Sequence, residues 1–219
     1  MYKAFFEMKH TPFVRNVPPE YLYDSPSISE ALARLEHAAD NQQFAVVTSQ
    51  PGCGKSTLIR KFASMLPPQK YLVLYLSDSK LTPRWFYKGL LDQLGIDAKF
   101  YRGDAKRQLQ KEIEIIRGIR QQKAVCILDE AHLLERETIE EFRFMLNYRF
   151  DSESPMALVL AGQAELWDKL RQQRYAAVKQ RIDLVCTLNP LDRAETARYI
   201  QSHLEYAGRK TEIFTDRAL

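Results

Sequence analysis

Five short apolar runs, separated by stretches of a different periodicity, constrain this chain more than any other feature. They are "FAVVTS" (44–49), "YLVLYLS" (71–77), "AVCILD" (124–129), "MALVLAG" (156–162) and, more weakly, "DLVCTLN" (183–189). These runs are rich in β-branched residues and do not alternate with polar ones, the pattern of strands covered on both faces. Between them, apolar residues recur at helical spacing. Over 104–122, Ala105, Leu109, Ile113, Ile116 and Ile119 form one stripe, with Asp104 as the N-cap. Residues 55–66, 83–94 and 138–150 also carry helix patterns. Strands alternating with helices predict an α/β fold, a doubly wound five-stranded parallel sheet with right-handed crossovers. Near Asn189-Pro190 the character changes, which divides the chain into a core over 1–188 and a helical part over 189–219. In the second part Gly208 stops one helix, and Thr215 or Asp216 caps another that is cut short.

With 45% hydrophobic and 27% charged residues, the composition is that of an ordinary globular chain, and a net charge of +4 is only a weak pointer to acidic partners. No apolar run approaches the roughly 20 residues that cross a bilayer. The opening "MYKAFFEMKH" lacks the apolar core of a signal peptide. Cys53, Cys126 and Cys186 lie far apart, without a Cys-x-x-Cys pair. The expectation is therefore a cytoplasmic protein with reduced thiols, no metal cluster and no membrane role.

The first apolar run ends in a phosphate-binding pattern. Gln50, Pro51, Gly52, Cys53, Gly54, Lys55, Ser56 and Thr57 turn the chain out of a strand and into a helix, with Ser49 where the pattern has its first glycine. Backbone N–H groups in such a loop cradle a β-phosphate, aided by the positive end of the following helix. Gly52 and Gly54 permit the backbone angles and the close approach. Lys55 then bridges β- and γ-phosphate oxygens, and the Ser56 hydroxyl ligates Mg²⁺. The third run ends in Asp129 and Glu130. An Asp at the end of a strand adjacent to the loop holds the hydration shell of Mg²⁺. The Glu after it points to the other side, where it polarises a water for attack on the γ-phosphate. Gln163, ending the fourth run, lies within reach of that phosphate or water. Beyond Lys55 the transition state needs positive charge, an arginine supplied in trans being worth roughly 10³–10⁵ in rate, and Arg174 and Arg181, which precede the fifth run, are the candidates.

Together these motifs, with "KQRI" before the fifth strand and a helical lid after it, resemble the AAA+ P-loop ATPases. The opening "YKAFFEMKHTPFVRNVPPEYLYDSPSISEALARL" and the phrase "LNPLDRAETARYIQSHLEYAG" are similar to the ExeA-type branch. That branch contains secretion ATPases and the ATP-dependent transposition regulators of transposons and Mu-like phages. The resemblance implies ATP as the nucleotide, Phe13 and Tyr23 flanking its adenine, Arg181 as the arginine finger and Gln163 as first sensor. Glutamine stands there in place of the more usual asparagine or threonine, and a second-sensor arginine is expected beyond residue 219.

Two basic clusters suggest a partner. Lys80, Arg84 and Lys88 follow the second run, and Lys99, Arg102, Lys106 and Arg107 begin a longer series in which Lys111, Arg117, Arg120 and Lys123 follow. On the helix over 104–122 most of these fall opposite the apolar stripe, a surface for the phosphates of double-stranded DNA. The expected function is an ATP-dependent regulator of transposition. It would self-assemble on DNA without reading sequence, recruit a transposase and leave on hydrolysis. A secretion-type ATPase acting on protein partners is the alternative.

Overall fold

Each apolar run becomes a strand. In the computed structural model, which describes residues 2–77, 81–146, 154–209 and 213–214, β1 spans Phe44–Ser49, β2 Tyr71–Leu76, β3 Lys123–Leu128, β4 Ala157–Gln163 and β5 Leu184–Leu188. All four pairings are parallel, in the order β2-β3-β4-β1-β5. The expected α/β, doubly wound five-stranded sheet is therefore the fold.

Because side chains alternate across a strand, each strand feeds two cores. On one face Phe44, Leu74, Cys126 and Leu158 pack against α4 (Pro83–Gln93), α5 (Arg102–Gly118), α6 (Arg136–Met145) and α7 (Ala164–Leu170). On the other, Val47, Ile127 and Val159 meet α2 (Pro26–Asn41) and α3 (Lys55–Met65). A short α1 (Tyr2–Phe5), α8 (Ala176–Lys179) and α9 (Arg193–Tyr206) complete the helices among the described residues. The spacing argument did not assign α2, although Ser25 caps it, accepting from the Ile28 amide, and Pro26 takes its first position. Asp192 and Glu195 close a capping box at the start of α9.

Two expected helices shift. The helix of the basic series begins at Arg102, with Tyr101 rather than Asp104 at the cap, and Asp104 instead pairs with Arg107 at 2.6 Å within the first turn. It ends at Gly118, so Ile119 leaves the apolar stripe and is 77% exposed, whereas Ile116 is fully buried. α6 starts two residues ahead of the expected 138. Residues 147–150 of that helix, together with Lys80, Thr215 and Asp216, lie outside the described residues.

The N-terminal segment packs on α9. Lys9 N–H donates to the Ala207 carbonyl at 2.8 Å, the His10 ring stacks on Tyr206 at 5.2 Å, and Arg209 pairs with Glu7 at 3.0 Å. No helix among the described residues is long and apolar enough to cross a membrane.

The end of α5 is testable. Ile116→Ala should cost about 2–5 kcal/mol of unfolding free energy in urea. Ile119→Ala should stay within about 0.5 kcal/mol of wild type.

Candidate nucleotide site

The sheet brings the phosphate loop, after the first apolar run, and the acidic pair, after the third, together. β1 ends at buried Ser49, and Gly54, at φ +86°, leads into α3, whose first residue is Lys55. Gly52 has φ +85°, so both glycines occupy the left-handed region that a side chain strains. Leu58, Ile59 and Phe62 are buried beneath α3 and fix the direction of its first turn. Lys55 Nζ donates to Asp129 Oδ1 and, at 2.6 Å, to Glu130 Oε1. Burial disfavours the ammonium, but these two carboxylates more than offset it and hold its pKa above the ordinary lysine value.

The acidic strand end reaches the loop from one strand further off, since β4 lies between β1 and β3. Lys55 closes that gap by its length. Glu130 does not point away from Asp129. Its backbone is left-handed, φ 53°, which ends the strand and turns the carboxylate back onto Lys55. Three residues that the sequence left unassigned complete this corner. The Tyr75 hydroxyl donates to Asp129 Oδ2 at 3.2 Å. His132 Nδ1 lies 3.7 Å from Glu130 Oε2 and accepts from the Gln163 amide at 3.4 Å. Lys169 donates to the His132 carbonyl at 2.5 Å, tying the turn after Glu130 to α7. Tyr75 and His132 had only proximity to strand ends as a sequence signal, and Lys169, inside α7, had none.

Beside the loop opens a cavity of about 1010 Å³. Gln50, Pro51, Gly52, Cys53, Ser56 and Thr57 form its floor. Phe13 and Tyr23 line it from the N-terminal segment, and Tyr199 and His203 from α9. Phe13 is left-handed at φ 58°, its N–H donates to His203 Nδ1 at 3.3 Å, and its ring stacks on His203 at 5.0 Å. A strained aromatic backbone held by a buried histidine is a feature of functional pockets. Burial keeps the His203 pKa below its ordinary value, so the ring is the neutral acceptor this contact needs. Arg60, another lining residue, has a buried Nε without a partner. Left-handed glycines, a lysine at a helix start and the two carboxylates it meets fit a magnesium-bound triphosphate. Arg60 and the aromatic rings fit the rest of a nucleotide.

Gln163 pairs in register with Ser49, next to the loop. Arg181 is elsewhere. It follows α8 and precedes β5, whereas the loop follows the other end of β1, one parallel strand away. Five residues of strand separate those ends by about 17 Å, so Arg181 does not serve its own subunit's loop. Arg174 lies over the Tyr175 ring at 5.2 Å.

The basic residues divide. Arg102 pairs with Glu137 at 2.6 Å, Arg107 with Asp104, and Lys106 with Glu141 at 2.8 Å, where Tyr87 also donates. Burial opposes the Glu141 charge, but Lys106 and Tyr87 hold its pKa below the ordinary value. Arg84 and Lys88 instead lie over the exposed rings of Phe100 and Trp85, at 4.3 and 4.8 Å, with exposed Lys99 and Tyr101 alongside. The expected stripe along the helix is thus partly neutralised, and the open cationic surface is centred on α4.

Lys55→Ala should weaken nucleotide binding roughly 10–150-fold, the range of a hydrogen bond to a charged group. Glu130→Gln should retain binding and lower turnover about 10²–10⁴-fold. Calorimetry and phosphate release separate the two. For His203, the unfolded ring takes up a proton as pH falls through about 6.5 while the folded one does not. Its contribution is complete above that pH and is lost below it. Between pH 7.5 and 5.5, Tm should therefore fall further in wild type than in His203→Gln.

Residues 37–170 match the family model described as an AAA domain. Over its full length the chain is 31% identical to General secretion pathway protein A of Aeromonas hydrophila, and spans 40% of that protein. Among solved structures, Cdc6p of Pyrobaculum aerophilum superposes with a TM-score of 0.64 at 16% identity, covering 86% of this chain and 54% of that one. The Walker-type ATPase PABY2304 of Pyrococcus abyssi gives 0.63 at 16% identity, covering 92% and 63%. At such identities the structures show the fold alone. The family match extends over more than half the chain and includes the loop, the acidic pair and Gln163: this chain belongs to the AAA domain family and is an ATPase.

Proposed function

We propose that the chain is an ATP- and Mg²⁺-dependent regulator of DNA transposition. It assembles with copies of itself on double-stranded DNA, without reading sequence, engages a transposase there, and is released by hydrolysis. The proposed setting is the cytoplasm. Residues 1–188 are the nucleotide-binding core, and 189–219 begin a helical lid.

The observation that carries this reading is the surface of exposed Arg84 and Lys99 and half-buried Lys88, interleaved with exposed Trp85, Phe100 and Tyr101. Cations that are not spent on carboxylates attract phosphates, and each displaced counterion makes the binding salt-dependent. Such a patch is weak in one subunit and strong in an array along a duplex. Assembly is supported by the position of Arg181, which is far from its own loop and suited to a neighbour's.

Within the site, Lys55 exchanges its two carboxylates for β- and γ-phosphate oxygens when nucleotide enters. Ser56 and Asp129 would hold Mg²⁺, which supplies charge neutralisation between those oxygens. Glu130, released from Lys55, accepts a proton from the attacking water. Gln163 senses the γ-phosphate, and its backbone contact with His132 links it to Glu130. Phe13 and Tyr23 flank the adenine.

Fluorescence anisotropy with a labelled duplex, with and without a slowly hydrolysed ATP analogue, tests the proposal. Binding should require the analogue and weaken steeply with salt. Replacing Arg84 and Lys88 together by alanine should lower the slope of log K against log salt by about 2. Binding indifferent to both nucleotide and salt overturns it. A second reading, an ATPase of a secretion system acting on protein partners, is favoured by the 31% identity to General secretion pathway protein A. Intact ATP turnover without nucleotide-dependent duplex binding would favour that reading instead.

A further inference from the structure

β2 is an edge strand, paired on one side only, with β3. At one position its open edge is nonetheless closed. The Gln93 side chain, at the end of α4, accepts from the Tyr75 N–H at 2.9 Å and donates to the Tyr75 carbonyl at 2.9 Å. A side-chain amide thus supplies both bonds that a neighbouring strand would make. The phenol of the residue pinned in this way crosses to β3 and donates to Asp129 Oδ2 at 3.2 Å. The other oxygen, Oδ1, accepts from Lys55 Nζ and from the Glu130 N–H at 2.8 Å.

The two oxygens of Asp129 therefore have different futures. Lys55 must leave Oδ1 for the phosphates, and the carboxylate is then held about its terminal torsion only by the Glu130 N–H on Oδ1 and by Tyr75 on Oδ2. Tyr75 has no phosphate to leave for. We propose that Tyr75 is a positioning residue for the metal site: its hydroxyl holds Asp129 by Oδ2, so that Oδ1 stays aimed at the cation once Lys55 has moved. Outer hydrogen bonds of this kind orient ligating groups, and their removal typically costs about 10–100-fold in metal affinity. This inference rests on the reading of Asp129 as a magnesium-site residue.

The test is a titration of full-length chain with Mg²⁺ in the presence of a fluorescent ATP analogue, read as nucleotide binding rather than turnover. In Tyr75→Phe the Mg²⁺ concentration at half-saturation should rise about tenfold, while affinity in EDTA stays within about twofold. Gln93→Ala, which keeps the phenol but frees its strand, should move the same midpoint in the same direction by less. An unchanged midpoint in Tyr75→Phe overturns the proposal. So does an equal loss of affinity in EDTA, which would make the tyrosine merely structural. A wild-type chain whose binding ignores Mg²⁺ would remove the metal site itself, and this role with it.

Discussion

One ammonium held between two carboxylates organises this molecule. Lys55 begins a helix, Asp129 and Glu130 end a strand two places away in the sheet, and the contact spans β4. Largely buried ion pairs lose hydration and return only part of it as attraction. Such a pair is a weak source of stability, but it is an apt device for a site that must exchange partners. On the proposed reading, a triphosphate offers Lys55 more negative charge than the two side chains do, and its move frees both acids for cation and water. This arrangement keeps the lysine close to the phosphate loop.

The contact forms only if helix and strand are both rigid. α3 is seated by Leu58 and Phe62, and β3 is buried from Ala124 to Leu128. Glu130 then breaks the strand with a left-handed residue, which folds its carboxylate inward. Gly162 makes room for the turn that follows, because a Cβ there would lie 3.0 Å from the His132 amide nitrogen. The geometry of the acidic pair thus depends on a glycine in β4 and on Lys169 in α7, neither of which touches Lys55.

What could be read from the sequence was what is encoded locally. Five strands, the glycine loop and the acidic strand end announce themselves within a dozen residues, and the strand boundaries fell within a residue of those observed. Contacts set by strand order were not legible. Tyr75 meets Asp129 because β2 lies beside β3, and His203 meets Phe13 across 190 positions. The turn of Glu130 was hidden for another reason, since φ > 0 in a glutamate has no propensity signature. Phe13 and Tyr23 entered only through a family resemblance, and the cavity they line depends on α9 folding back over them.

Charge is where sequence counting misleads most. Eight cations against three acids over 99–123 look like one strongly basic face. In space further acids come from elsewhere: Glu137 and Glu141 of α6 meet Arg102 and Lys106, and Asp40 of α2 meets Lys123, while Asp104 and Glu112 of the segment itself meet Arg107 and Arg120. Exposed pairs such as Arg102–Glu137 bind weakly enough for a phosphate to compete. Lys106 is different, because Glu141 is buried and leaving it unpaired costs more than a surface contact returns. The residues that give up least on meeting a polyanion are those resting on aromatic rings, since a ring face yields a cation without leaving a charge behind. That selects Arg84 and Lys88 on α4, the helix whose far end fixes Tyr75 through Gln93. The surface best suited to a partner and the carboxylate best suited to the metal are therefore joined by one helix and one strand residue.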